Sequence, residues 1–229
     1  MSEQINTDQN EEKVGSTKML LSMGTIGLLA GVLIVFTFEF TLPFIKANEA
    51  EFLQKSIFDV IPGAVTKSVF TINDKGEVIP IVNEEDAAYK IYPCYDQTDK
   101  LVGVALEARD QGFQDVIKII YGYAPDKEAI VGMKVLQSTE TPGLGDKIES
   151  DQGFLSNFVK LDVRLDKDKK ELLTPIELVK AGKKTNDAQI SAITGATISS
   201  KAIARMVSKS AEINIPLIAK NLEALQKEN

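Results

Sequence analysis

The chain has 229 residues, 44% of them apolar and 26% charged, with a formal net charge of −7. That is enough apolar material for a core, and the acidic balance excludes a nucleic-acid backbone as partner, since such binders cluster Lys and Arg on one face. There is no His, and Cys94 is the sole Cys. This excludes imidazole proton transfer, a thiolate metal cluster, a CxxC couple and an intrachain disulfide, so any redox work has to come from an organic cofactor.

The first sixteen residues are polar and rich in Asn, Gln, Glu and Ser, a composition that predicts disorder. Met19 to Phe38 is uncharged and lies between Lys18 and Glu39. At ~1.5 Å rise per residue this run spans roughly 30 Å, the thickness of a bilayer's hydrocarbon core. The residues that follow, Glu39-Phe40-Thr41-Leu42-Pro43-Phe44, make a poor cleavage site, and the run exceeds the about 7–15 apolar residues of a signal peptide. An uncleaved span is therefore expected. Lys13 and Lys18 precede it, and no Lys or Arg follows until Lys46. The positive-inside rule then puts the N-terminus in the cytoplasm. The predicted organisation is a cytoplasmic tail (1–18), a transmembrane helix (19–38) and an extracytoplasmic domain (39–229).

In that domain, Phe52, Leu53, Ile57, Phe58 and Ile61 recur at helical spacing and predict a helix over Ala47–Ile61, ended by Pro62-Gly63. Strand-like runs follow at Val65–Ile72, Ala88–Tyr95, Leu101–Ala108, Val116–Ala124 and Ala129–Leu136. They are rich in Val, Ile and Tyr, and short turn-forming links such as Asn73-Asp74-Lys75-Gly76 and Pro125-Asp126 favour antiparallel pairing. Cys94 falls inside one of these runs and reads as a small buried side chain. Thr139 to Gly145, TETPGLG, is a loop. Phe154–Val159 predicts a short helix, Leu172–Lys180 is ambiguous between strand and helix, and Gln189–Ile193 predicts a short strand. Ile198, Ala202, Ile203, Met206 and Val207 mark an amphipathic helix, with Pro216 opening a second one. The fold class is α+β: one N-terminal transmembrane helix, then a mainly antiparallel sheet with flanking helices.

The stretch Thr194-Gly195-Ala196-Thr197 stands between a strand and a helix start. A helix N-terminus offers unpaired N–H groups and a partial positive charge, which together hold a phosphate. Gly195 and Ala196 leave the backbone approachable, and Thr194, Thr197, Ser199 and Ser200 surround the turn with hydroxyls. The same residues also suit a plain helix cap, where Thr and Ser satisfy orphan donors and do nothing else. The Walker pattern is absent, which removes support for nucleotide triphosphate hydrolysis.

A resemblance favours the phosphate reading. Ser191-Ala192-Ile193-Thr194-Gly195-Ala196-Thr197-Ile198-Ser199 resembles the flavinylation motif of FMN-binding domains, whose last Thr is esterified to the FMN phosphate. Upstream, Glu140-Thr141-Pro142-Gly143-Leu144-Gly145-Asp146-Lys147 resembles the second signature of that family. With one N-terminal span before both motifs, the chain is similar to the G subunits of Rnf complexes; the C subunit of the sodium-pumping NADH:quinone reductase is a related, longer family. The resemblance implies covalent FMN on Thr197, with Thr194, Gly195, Ala196 and Ser199 around the phosphate. It implies that Glu140, Thr141, Pro142, Gly143 and Leu144 flank the isoalloxazine. It implies no catalytic residue or metal in this chain, which would be a component of an oxidoreductase. Family members carry Asp three residues before the motif, where this chain has Ser191, a residue able to make a local hydrogen bond to the turn.

The function so implied is electron transfer within a membrane complex that links ferredoxin and NAD redox chemistry to Na⁺ or H⁺ transport. The partners are the other Rnf subunits, a flavin transferase for maturation and membrane lipid. Two alternatives share these features: the homologous quinone-reductase subunit, and a membrane-anchored flavin-binding redox sensor.

Overall fold

The computed structural model describes residues 15–73, 76–81 and 89–226. Of the sixteen N-terminal residues expected to be disordered, residues 1–14 lie outside the described residues, as do Asp74, Lys75 and Ala88, whereas Ser16 already begins a helix. Contacts divide the chain into two units, Met1–Ala50 and Glu51–Asn229.

Helix α1 (Ser16–Val60) contains the uncharged run and is long and apolar enough to cross a membrane. The separate helix expected over Ala47–Ile61 is the C-terminal part of this same element, which continues through Pro43. A proline inside a helix removes one hydrogen bond and crowds one carbonyl, a local cost of ~3 kcal/mol.

The second unit is built on an antiparallel sheet of β1 (Thr66–Lys67), β2 (Phe70–Ile72), β3 (Val78–Pro80), β4 (Ile91–Tyr95), β5 (Leu101–Gln111), β6 (Val116–Ala124), β7 (Ala129–Gln137) and β8 (Leu161–Asp162). Its order is β3-β2-β4-β5-β6-β7-β8, with β1 also on β4. The mainly antiparallel α+β architecture expected from the short links is the one observed. The single strand expected over Val65–Ile72 is split in two opposite Pro93. Pro93 accepts from the Ser68 N–H at 2.9 Å but has no N–H to return, so the ladder is interrupted there. Strand β5 runs three residues past its predicted end, because the polar segment Arg109-Asp110-Gln111 pairs with β6 where hydropathy gives no signal.

Short helix α2 (Gln152–Leu155) is capped by Asp151, which accepts from the Phe154 N–H at 2.8 Å. The ambiguous 172–180 segment yields β9 (Glu177–Val179), which pairs in parallel with β10 (Gln189–Ser191) in a separate two-stranded sheet. Helix α3 (Thr197–Lys220) follows. The second helix expected from Pro216 does not form; α3 passes through that residue. Ile215 and Ile218, on either side of it, are fully buried in the core, and their burial outweighs one lost helical bond.

The two faces of the sheet are covered differently. On one, Ile203, Met206, Val207 and Ile215 of α3 join Leu106, Ile117, Ile119 and Tyr121 in a large core. On the other, Ile57, Val60 and Ile61 meet Tyr92, Cys94, Ala105 and Ile120. Gly103, Gly122 and Gly132 make that approach possible. A Cβ on Gly122 would stand 2.2 Å from the Val60 carbonyl oxygen, and one on Gly132 would stand 2.6 Å from it. Lys134 ties β7 to the same segment through Asp59 at 2.5 Å. Cys94 is buried and burial pushes its thiol up to about 12, as expected of an inert core residue.

Candidate flavin-binding site

The motif after β10 forms a tight turn. The Ala196 N–H donates to the Ile193 carbonyl at 3.1 Å, and Gly195 within the turn has φ +86°. A Cβ on Gly195 would meet nothing within 4 Å, so glycine is required here by backbone angle, not by space. Ser200, fully buried, locks the turn from inside: its hydroxyl accepts from the Ile193 N–H at 3.1 Å and donates to the Ala196 carbonyl at 2.9 Å.

The plain capping role open to these hydroxyls is not the one observed. Ala196 is the N-cap of α3, and no side chain caps it. The N–H groups of Thr197, Ile198 and Ser199 take no acceptor among the described residues. The first turn of a long helix thus presents three free donors, and the side chain of Thr197 is exposed beside them.

These groups face a cavity of about 290 Å³ lined by Gly195, Ala196, Thr197, Ile198 and Ser199 from one side and by Phe113, Glu140, Thr141, Leu144 and Gly145 from the other. The structure therefore brings together the two motifs and most of the expected site residues. It does not bring in all of them. Thr194 lines a different cavity, of about 390 Å³, together with Ser191, Lys147 and Asp151. Pro142 and Gly143 line neither cavity. Gly143 has φ +76° with open space around it, so it serves the loop's shape.

The second wall depends on Glu140, which is 6% exposed. One carboxylate oxygen accepts from the N–H groups of Phe113 at 2.8 Å and Gln114 at 3.0 Å; the other accepts a short hydrogen bond from the Ser199 hydroxyl. Gly145 is glycine for this reason: a Cβ there would lie 2.6 Å from that second oxygen and 2.9 Å from the Ser199 hydroxyl. Gln114 adds a bond from its side-chain amide to the Thr141 hydroxyl at 2.7 Å.

Phe113 was not among the residues expected from the motifs. It sits at the tip of the β5–β6 hairpin, 62% exposed, and with Leu144 at 51% and Ile198 at 55% it supplies the large exposed apolar side chains of the cavity's lining. The sequence signal was a lone aromatic in the polar run Arg109 to Asp115. The hairpin base is held to α3 by Arg205, which reaches Asp110 at 2.5 Å and the Gln111 carbonyl at 3.1 Å. The Arg205 guanidinium keeps the Asp110 carboxyl below the usual carboxylate range.

Ser191 bonds differently from expectation. Its hydroxyl accepts from the Gly182 N–H at 3.1 Å, in the loop after β9, rather than from the motif turn. Its backbone is held by buried Asn157, through bonds of 3.0 and 3.3 Å.

An uncapped helix start suits a phosphate, a nearby hydroxyl can carry an ester, and three exposed apolar side chains suit a flat aromatic ring system. The residues present therefore fit FMN.

Comparison with known proteins agrees with this chemistry. A family model for the FMN-binding domain matches residues 112–212, a span that includes both walls of the cavity. The G subunit of the ion-translocating oxidoreductase complex of Methanosarcina acetivorans is 28% identical over 190 residues, covering 82% of this chain and 88% of that protein. The G subunit of the proton-translocating ferredoxin:NAD(+) oxidoreductase complex of Clostridium ljungdahlii is 30% identical over 157 residues, covering 66% and 76%. Among solved structures, Shewanella oneidensis NqrC shares the fold, with a TM-score of 0.58 at 18% identity over 78% of this chain and 98% of that one. The chain belongs to the family of G subunits of ion-translocating oxidoreductase complexes.

Proposed function

We propose that this protein is an electron-carrying subunit of a membrane-bound Rnf-type complex and holds FMN through a phosphoester to Thr197. The observation that carries the reading is the meeting of two distant segments at an uncapped helix start, with an exposed threonine side chain and three N–H donors that take no acceptor among the described residues in one cavity. Bound FMN exchanges one or two electrons, which a chain without His and with one inert Cys cannot do by itself. The protein's own part is to hold and orient. The N–H groups of Thr197, Ile198 and Ser199 would hold the phosphate, and Phe113, Leu144 and Ile198 would cover apolar ring surface. A covalent tether keeps the flavin on the protein where free FMN is scarce. The ester itself would be made by a flavin transferase. The relatives' names support assembly with other complex subunits and a role in coupling redox chemistry between ferredoxin and NAD to ion transport.

The deciding experiment is mass spectrometry of denatured full-length protein from a host with flavin transferase. FMN minus one water should map to Thr197, and Thr197→Val should remove it. Release of free FMN on denaturation of the wild type would refute the ester.

The same reading puts the cavity outside the cytoplasm, from Lys18 before the apolar run and the lack of any Lys or Arg after it until Lys46. A reporter active only outside the cytoplasm should work when fused after Asn229 and stay silent when fused after Ser16. The reverse pattern would overturn the orientation and leave the flavin assignment intact.

A further inference from the structure

We infer that Glu140 is not a direct ligand of the flavin but the positioning residue that assembles the cavity and fixes one carboxylate in its wall. This rests on the cavity being the flavin site. Three segments far apart in sequence meet through this side chain. They are the β5–β6 turn at Phe113-Gln114, the Thr139–Gly145 loop that carries Glu140, and the first turn of α3 at Ser199. With donors on both oxygens, the carboxylate is occupied by the protein itself. The glycines around it are consistent with a site built to receive it. A Cβ on Gly112 would stand 2.5 Å from one of its oxygens, and a Cβ on Gly145 would stand 2.6 Å from the other. At Gly112 the same Cβ would also meet Ile117 Cδ1 at 2.6 Å and the Asp115 carbonyl oxygen at 2.9 Å, so the Glu140 carboxylate is one of three groups that need that space.

Two consequences follow from the geometry. The Phe113 ring is exposed, yet its backbone is held by Glu140, so the ring is offered to the cavity from a fixed base. The carboxylate also lies in the lining of the same cavity as Thr197. A negative group in a partly dry wall disfavours adding electrons to a neighbouring flavin. Glu140 would then lower the flavin's midpoint potential while keeping the cavity in shape.

Substitution separates the two effects. In Glu140→Gln the side-chain oxygen still accepts from Phe113 and Gln114, and the amide can donate to the Ser199 oxygen, so shape is kept and charge is lost. In Glu140→Ala both are lost. The test uses full-length protein in detergent, in two arms. Amide hydrogen exchange is followed in the flavin-free Thr197→Val background, and redox titration with visible spectra is run on the flavin-loaded form. Glu140→Gln should keep Phe113 and Gln114 protected and the visible spectrum unchanged, while the midpoint potential rises. Glu140→Ala should speed exchange at Phe113 and Gln114 at least tenfold and alter the flavin spectrum.

Unchanged exchange and an unchanged spectrum in Glu140→Ala would overturn the positioning role. An unchanged potential in Glu140→Gln would overturn the placement of its charge beside the flavin. Wild-type protein that never acquires flavin would instead defeat the function proposed above, and the exchange arm would still decide the role of Glu140.

Discussion

The two walls of the cavity are held by different means. The Ile193–Thr197 turn is shaped by neighbours in sequence: the Ala196-to-Ile193 bond, the positive φ of Gly195 and the Ser200 hydroxyl. The Thr139–Gly145 loop also turns locally, through the Leu144 N–H to the Thr141 carbonyl at 3.1 Å and the positive φ of Gly143, but it is held in place by partners far away in the chain, at Phe113, Gln114 and Ser199. The first wall is therefore written in a short motif that works wherever a helix can follow it. The second takes its place beside the helix start only once the sheet has brought the β5–β6 hairpin over α3. A site split in this way can keep its attachment point while its ring environment is retuned.

Breaking the long-range wall should have the largest effect. Gly145→Val puts branched carbon into the space of the Glu140 carboxylate and the Ser199 hydroxyl. Overpacking of this kind costs about 3 kcal/mol, and a thermal melt of the full-length chain should show a drop of several degrees. A wild-type melting temperature would show that the loop yields and that Glu140 does not need the gap.

Breaking the local wall should cost less. Ser200→Ala leaves the buried Ile193 N–H without its acceptor, a loss of about 1–2 kcal/mol. Because this bond shapes the turn at the attachment residue, the fraction of protein carrying covalent flavin should fall as well. Full flavin occupancy together with unchanged stability would mean that the turn holds its shape without Ser200.

The smallest stability effect, and the sharpest separation of holding from shaping, belongs to Leu144→Ala. Leu144 is half exposed, so stability should change by no more than about 0.5 kcal/mol. Its side chain nevertheless lines the cavity, so the flavin's visible spectrum and midpoint potential should shift at full occupancy. An unchanged spectrum and potential would remove this loop from the flavin's surroundings.

Much of this molecule is legible in the order of its residues. The apolar run, the β-rich middle, the antiparallel pairing and the strand–turn–helix at Thr197 all follow from local composition and spacing. Pro216 signals a break by local propensity, yet it lies inside a helix on which Ile215 and Ile218 are buried; the helix expected over Ala47–Ile61 is likewise continuous with the apolar run. The polar end of β5 was invisible because its strand character comes from pairing with β6 and not from hydropathy. Phe113 escaped notice because a solitary aromatic in a polar turn has no periodicity to mark it.

The sequence by itself determined the chemistry available: no imidazole, one thiol, a threonine at a helix start and an apolar segment of membrane length. Those are properties of residue types and short spacings, which survive without a fold. Tertiary structure alone decided that Glu140 points into the protein's own hydrogen-bond network, that Gly145 is glycine to admit it, that Thr194 turns to a different cavity and that Phe113 completes the first. Each of those depends on which distant donors a buried carboxylate can reach, and a buried charge is tolerated only where the fold has gathered enough donors around it.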